Sequence, residues 1–289
     1  MLVNGLAIGM LYVLIVLGMD MILRGTRILN FAHGQVYMLG AYAFYFTYLV
    51  FHLHFVLALI LSGLAMLALG ALSYLGVFGF VQRRFTPGTP FSYRLLMSAM
   101  ASVGLMMILQ QGTLLGFGTK ERGIPSIFPQ LLTFGSVRLP LERLFIVLIS
   151  LLLCLFLYLL FFKTKLGKAM RAVSFDAEVC SLLGINTFWV YLLSFGIGCA
   201  LAGIAGAIVA PVFSVSPDMG HGIITAALLV MMVGGIGSYK GALVGGLVIG
   251  LLSSFGFQFL GQLSQVLLFV FVIVFLIFRP GGILGEAHD

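Results

Sequence analysis

Nine stretches of almost uninterrupted apolar residues, at about 2–23, 35–51, 54–80, 93–115, 142–162, 188–212, 222–237, 242–261 and 263–278, leave this chain few folds to choose from. A helix needs roughly 20 apolar residues to cross the hydrocarbon of a bilayer. In lipid the backbone is satisfied only inside helices or a closed barrel. Barrel strands alternate apolar and polar at every second residue, and these runs do not. The expected fold is all-α: a polytopic transmembrane helical bundle, with broken helices, forming one domain over 1–289. Several runs are short, so the expectation is about eight or nine spans. Charged residues make up 8% of the chain, against about 25% in soluble proteins. The net charge of +7 is spread over short loops, which argues against a nucleic-acid partner. No basic segment precedes the first run and no small-residue cleavage site follows it, so 2–23 reads as a retained helix.

Lys and Arg in the loops set the orientation. With nine spans, one side carries Arg24, Arg27, Arg83, Arg84, Arg94, Lys163, Lys165, Lys168, Arg171, Lys240 and Arg279, and the other Lys120, Arg122, Arg138 and Arg143. The richer side is expected to be cytoplasmic. The N-terminus is then outside and the C-terminus inside. The loop at about 116–141 is external, and Pro125, Pro129 and Pro140 argue against one long helix in it. The polar segment at about 163–187 is cytoplasmic.

That segment, KTKLGKAMRAVSFDAEVCSLLGIN at 163–186, is a charge-bearing island in an apolar protein. Leu166, Met170 and Val173 fall at helical spacing, and 174–176 breaks the pattern. Asp176 suits an N-cap, and Glu178 places negative charge in the first turn, where the helix dipole favours it. Val179, Leu182 and Leu183 form an apolar edge. Gly184 suits the left-handed position that ends a helix, and Asn186 or Thr187 can cap the next span. A short helix is expected at about 177–183, lying across the membrane surface. It either docks a partner or only connects two spans.

Two interruptions stand out elsewhere. Asn30, Phe31, His33, Gly34 and Gln35 break one apolar stretch. SVSPDMGHG at 214–222, with Ser216 and Pro217, breaks another. Paired breaks in the two halves of a transporter point to a site between them, where half-helix N-termini face the solute. The alternative is two ordinary loops at the membrane surface. Asp20 and Arg24 lie four apart on the first helix and can pair. Glycines recurring every four residues, as at Gly237, Gly241 and Gly245, suit close helix packing. Cys154, Cys180 and Cys199 are scattered and show no metal spacing. Asp20, His33, Asp218 and His221 show no catalytic spacing, so neither an enzyme nor a cofactor is expected.

DAEVCSLLGIN at 176–186 looks like the "EAA" loop of ABC-importer permeases, matched at Asp176, Ala177, Glu178 and Gly184. NGLAIGMLYVLIVLG at 4–18, RILNFAHGQVYMLGAY at 27–42, the repeated glycines of 234–250 and FRPGGILG at 278–285 follow in order. Together they resemble the branched-chain amino acid permease family, the LivH-like inner-membrane subunits of bacteria. The resemblance implies a dimer with a second, related permease, cytoplasmic ATPases and a periplasmic solute-binding protein. It implies an ATPase contact at Arg171, Asp176, Ala177, Glu178, Leu183 and Gly184. It implies import of a branched-chain amino acid or a related small polar or carboxylate solute such as an amide, urea or aromatic acid. The family commonly has an acid where Gln35 stands here. No G-x-x-x-x-G-K-[ST] phosphate loop occurs in the chain, consistent with an ATPase supplied by a partner. A secondary carrier or channel is the rival expectation. It gives no reason for the capped island, and Asp20 is the sole acid well inside the expected spans.

Overall fold

A computed structural model describes residues 2–85, 89–127, 130–134 and 137–284. Pro129 and Gly285, each part of a sequence expectation, lie outside the described residues. The chain is helical almost throughout. The elements are α1 (Leu2–Thr26), α2 (His33–Tyr45), α3 (Phe55–Ser73), α4 (Gly79–Arg83), α5 (Phe91–Phe117), the strands β1 (Leu131–Phe134) and β2 (Val137–Pro140), and α6 (Leu141–Lys163). Then follow α7 (Lys165–Phe175), α8 (Ala177–Leu182), α9 (Thr187–Val209), α10 (Met219–Gly234), α11 (Tyr239–Leu260) and α12 (Ser264–Phe278). Wide π turns at Phe46–Val50 and Tyr74–Phe78 extend α2 and join α3 to α4.

Each of the nine apolar runs is met by a helical stretch. Among the described residues, six helices are long and apolar enough to cross a membrane, while α10 and α12 are shorter apolar helices. α2 is the clearest departure from a plain span, because its helix begins inside the polar motif at His33.

One element lies outside the expected set, and a second is expected only as helical spacing. The loop before α6 holds an antiparallel hairpin, with Leu131 opposite Pro140 and Phe134 opposite Val137. Pro140 has no N–H to offer a further ladder bond, so the strand stops there and α6 begins at the next residue. The second is α7. Its N-cap Thr164 accepts from Gly167 N at 3.1 Å, so the basic half of the polar island is itself a helix.

The contacts divide the chain into two units. One is drawn from Met1–Leu17, Pro125–Cys154 and Ile223–Asp289, the other from Gly18–Ile124 and Leu155–Gly222. In the first, α1 and α11 meet through small residues: a Cβ at Gly9 would sit 3.0 Å from the Gly246 carbonyl oxygen. The chain after α12 folds back onto α10, with Ile283 N on Val233 O at 2.8 Å and Leu284 N on Gly234 O at 3.2 Å. That gives the C-terminal glycine-rich signature a structural task. In the second unit α9 is the buried axis. Gly203 packs on Met66 and Gly40, and Gly206 lies against the Tyr37 carbonyl. Ser62 Oγ donates to Gly40 O at 2.7 Å. Without a hydrophobic difference between lipid and side chain, such close contacts supply the dispersion that holds membrane helices together.

Candidate functional site

The first broken segment is built residue by residue. Thr26 ends α1, its hydroxyl bonding Ile22 O at 2.7 Å and its carbonyl accepting from Gln82 Nε2 at 3.0 Å. Asn30 Oδ1 then accepts from Ala32 N at 3.1 Å, and Asn30 O accepts from His33 N at 3.3 Å. Phe31 N donates to Ser102 Oγ of α5 at 3.0 Å. A polar side chain that satisfies nearby backbone lets a non-helical turn survive burial. Asn30, His33 and Gln35 are all buried, the last two completely.

Its depth follows from α9. A Cβ at Gly18 would lie 2.7 Å from Gly198 O and 3.0 Å from His33 Nε2. Gly198 is eleven residues beyond Thr187 in a helix of 23. At 1.5 Å per residue that is about 16 Å along a helix of roughly 34 Å. The His33 imidazole therefore lies beside the middle of α9, while the α2 backbone packs further along it, at Gly203 and Gly206.

The second broken segment arrives at the same place. A Cβ at Gly220, in the first turn of α10, would lie 2.7 Å from Gly34 O and 2.8 Å from Gln35 Oε1. The N-terminal ends of two helices, one from each break, thus meet around Gln35. Among the described residues, neither polar atom of the buried Gln35 carboxamide has a hydrogen-bond partner, nor has the buried Tyr42 hydroxyl two turns along α2.

The approach to α10 is strapped by contacts that sequence reasoning missed. Gln110 Nε2 donates to Asp218 Oδ1 at 3.1 Å, and Gln110 Oε1 lies 2.8 Å from His221 Nε2. A carboxylate only accepts, so the amide nitrogen faces Asp218 and His221 Nε2 is the donor to Gln110. Arg122 and Val215 exchange backbone bonds, each of 2.9 Å. The Arg122 guanidinium lies over Tyr45, Phe46 and Phe117 at 5.3, 5.7 and 5.8 Å. Ser214 Oγ donates to Glu121 Oε2 at 2.7 Å. Pro217 is buried and Ser216, half-buried, accepts from Met219 N at 3.3 Å. The available signal was the polar pair Gln110-Gln111 inside an apolar run.

The polar island takes the capped form expected of it. Asp176 Oδ1 accepts from Glu178 N at 2.9 Å and Val179 N at 3.0 Å. Gly184 has φ +83°. Its N–H reaches Ser181 O at 3.1 Å and Ile185 N reaches Cys180 O at 3.0 Å, the paired bonds of a Schellman stop. Asn186 Oδ1 then caps α9 at Trp189 N, 3.4 Å away. α8 and the residue just before its N-cap hold out apolar surface: Phe175, which ends α7, is 84% exposed, Leu182 86% and Leu183 76%. Ala177 and Glu178 occupy the first turn. Arg171 points the other way. It donates to Phe161 O and stacks on Phe161 and Phe162, fastening α7 to the end of α6. Arg24 likewise lies over Phe161, at 5.3 Å, while Asp20 is buried.

A second arginine was not singled out from sequence. Arg27 reaches across to the end of α7, donating to the carbonyls of Ser174 and Phe175.

The family model described as "Branched-chain amino acid transport system / permease component" matches residues 1–278. This chain belongs to that family. It is 33% identical over 294 residues to the high-affinity branched-chain amino acid permease protein BraD of Pseudomonas aeruginosa, covering 99% of this chain and 95% of the relative. It is 30% identical over 292 residues to the LivH permease protein of Salmonella typhimurium, covering 98% and 94%. The LivM permease protein of the same organism is 28% identical over 293 residues, covering 95% of this chain and 68% of the relative. No solved structure matches. The chain is a multi-pass membrane protein and a permease component, a transport subunit with no ATPase site of its own. The comparisons do not favour a secondary carrier or channel.

Proposed function

We propose that this protein is the LivH-like permease subunit of a bacterial ATP-driven importer. It forms the solute pathway and is moved by cytoplasmic ATPases through α8. The observation that carries this reading is α8 itself. A six-residue helix, capped at Asp176 and stopped at Gly184, holds large apolar side chains out of the protein. A segment that only linked two spans gains nothing from exposing Phe175, Leu182 and Leu183, whereas a docking surface does. Asp176, Ala177, Glu178, Leu183 and Gly184 form the contact, and Arg171 fixes its base to α6.

The pathway is assigned to Asn30, Phe31, His33, Gly34, Gln35, Ser216 and Pro217. The meeting of Gly34 and Gln35 with Gly220 supports this, because helix N-termini aimed at one buried point favour a carboxylate or other electron-rich group. The solute is a branched-chain amino acid or a related small polar or carboxylate solute. A second permease, a paralogue, completes the pathway, and a periplasmic binding protein delivers the solute to the external loop at about 116–141. The protein lies in the inner membrane with its C-terminus in the cytoplasm, which follows from the Lys and Arg bias of the loops. It acts as one permease domain.

The test replaces Gly184 with a bulky residue in the assembled importer. At φ +83° any side chain is strained, so α8 loses its stop. Binding-protein-stimulated ATPase activity and uptake are both expected to fall by about tenfold. Unchanged coupling in a normally assembled complex would refute the docking role.

A further inference from the structure

The Arg27 guanidinium donates from Nε to Ser174 O at 3.0 Å and from Nη2 to Ser174 O and Phe175 O at 2.5 and 2.7 Å. These carbonyls close α7, immediately before Asp176 begins the cap of α8. A cation suits that position, because the last carbonyls of a helix lack intrahelical donors and carry the negative end of its dipole. The backbone of Arg27 is held at φ +55°, a left-handed conformation that costs a non-glycine residue and persists only where its surroundings impose it. One end of the residue is fixed by a tight turn and the other by forked hydrogen bonds. It is a rigid link between two elements 147 residues apart in sequence.

Seven residues separate Arg27 from Gln35, and the intervening backbone is tied down. Ile28 N bonds Thr26 Oγ1 at 3.3 Å, Phe31 N bonds Ser102 Oγ, Ala32 N bonds Asn30 Oδ1 and His33 N bonds Asn30 O. A segment bonded at this density passes a displacement on instead of absorbing it. The α8 side has room to move: a cleft of about 480 Å³ borders it, lined in part by Arg27, Gln82, Arg94, Phe175, Asp176 and Glu178.

We propose that Arg27 is a positioning residue for transport, a strut that turns a push on α8 into movement of the α2 N-terminus. The movement opens or closes the contact between Gln35 and Gly220. Arg27 acts through α2 and touches no solute. The proposal rests on α8 being the ATPase contact.

The experiment uses the complete importer, with its second permease, ATPases and binding protein, and needs no knowledge of the solute. Phe31, half-buried at the pathway break, is replaced by cysteine, the three native cysteines being buried. Its labelling by a maleimide is timed in the resting complex and after trapping with ATP and vanadate. With Arg27 intact the rate is expected to change by about threefold or more as the conformational population shifts. In R27Q/F31C the change is lost although the ATPases still trap nucleotide. R27K keeps the cation but not the planar fork, and gives an intermediate response. A purely structural anchor predicts lower thermal stability with the vanadate response preserved, and that result overturns the proposal. So does a Phe31→Cys importer with Arg27 intact whose labelling ignores vanadate. Should R27Q fail to assemble, an undiminished response in R27K overturns it equally. The α8 reading fails separately, through Gly184 variants that leave ATPase stimulation intact.

Discussion

Gln35 presses its carboxamide oxygen against the first turn of α10, where a Cβ on Gly220 would stand 2.8 Å from Oε1. The same Cβ would stand 2.7 Å from Gly34 O, a backbone atom that cannot rotate away. G220A therefore crowds the first turn of α10 against Gly34, and overpacking of this kind costs about 1–3 kcal/mol. Uptake by G220A is expected to fall by about tenfold or more, with a lowered unfolding midpoint in detergent. Gly222 has open space around it, so G222A is the matched control and is expected to transport normally.

Gln35 itself is costly to bury. Each unpaired buried polar atom is unfavourable by about 1–3 kcal/mol, and an apolar replacement of similar shape relieves that cost. Q35L is expected to raise the thermal midpoint of the purified permease while reducing uptake. A site that is less stable than its apolar substitute is one held for function. Uptake assays beside a thermal melt check this, and a Q35L protein that is both destabilised and fully active would contradict it.

Most of the fold was legible because lipid narrows the options. The apolar runs alone gave every helical stretch of membrane length, and Asp176, Gly184 and Asn186 marked the caps around α8 from residue type. The hairpin at 131–140 was not legible, because hydropathy describes apolar spans and says little about pairing inside a polar loop. α7 was read only as helical spacing, since Thr164 is a cap whose partner, Gly167 N, is visible only in three dimensions. The site was legible as two separate breaks. Their meeting was not, because the contact of Gly34 with Gly220 joins residues far apart in the chain and exists only in the folded packing. Arg27 was missed for a related reason. It counted as one more positive charge in a loop, and its partners are backbone carbonyls, which carry no sequence signal.

The cap of α8 can be tested apart from its surface. Asp176 Oδ1 holds two N–H groups, and removing an N-cap of this type costs about 1 kcal/mol. In a helix of six residues that is enough to fray it. D176A is expected to weaken ATPase stimulation several-fold, while D176N, which keeps the accepting oxygen, retains most of it. Equal loss in both variants would mean that the negative charge matters and the cap does not.

The surface of α8 makes the sharper test. Leu182 is 86% exposed and Leu183 76%, so charging either one removes almost no packing within this protein. L182D and L183D are expected to leave the unfolding midpoint of the isolated permease unchanged, since exposed substitutions shift stability by no more than about 0.5 kcal/mol. An apolar anchor buried at an interface is different, and losing one commonly costs about 2 kcal/mol or more of binding. Co-purification of the ATPases with L182D is therefore expected to drop by about thirtyfold at limiting concentration. Met170, fully buried beneath the same island, gives the opposite pattern. M170A lowers the midpoint first, and binding falls only as far as folding does. If L182D and M170A behave alike, the exposed face of α8 is not where the ATPases bind.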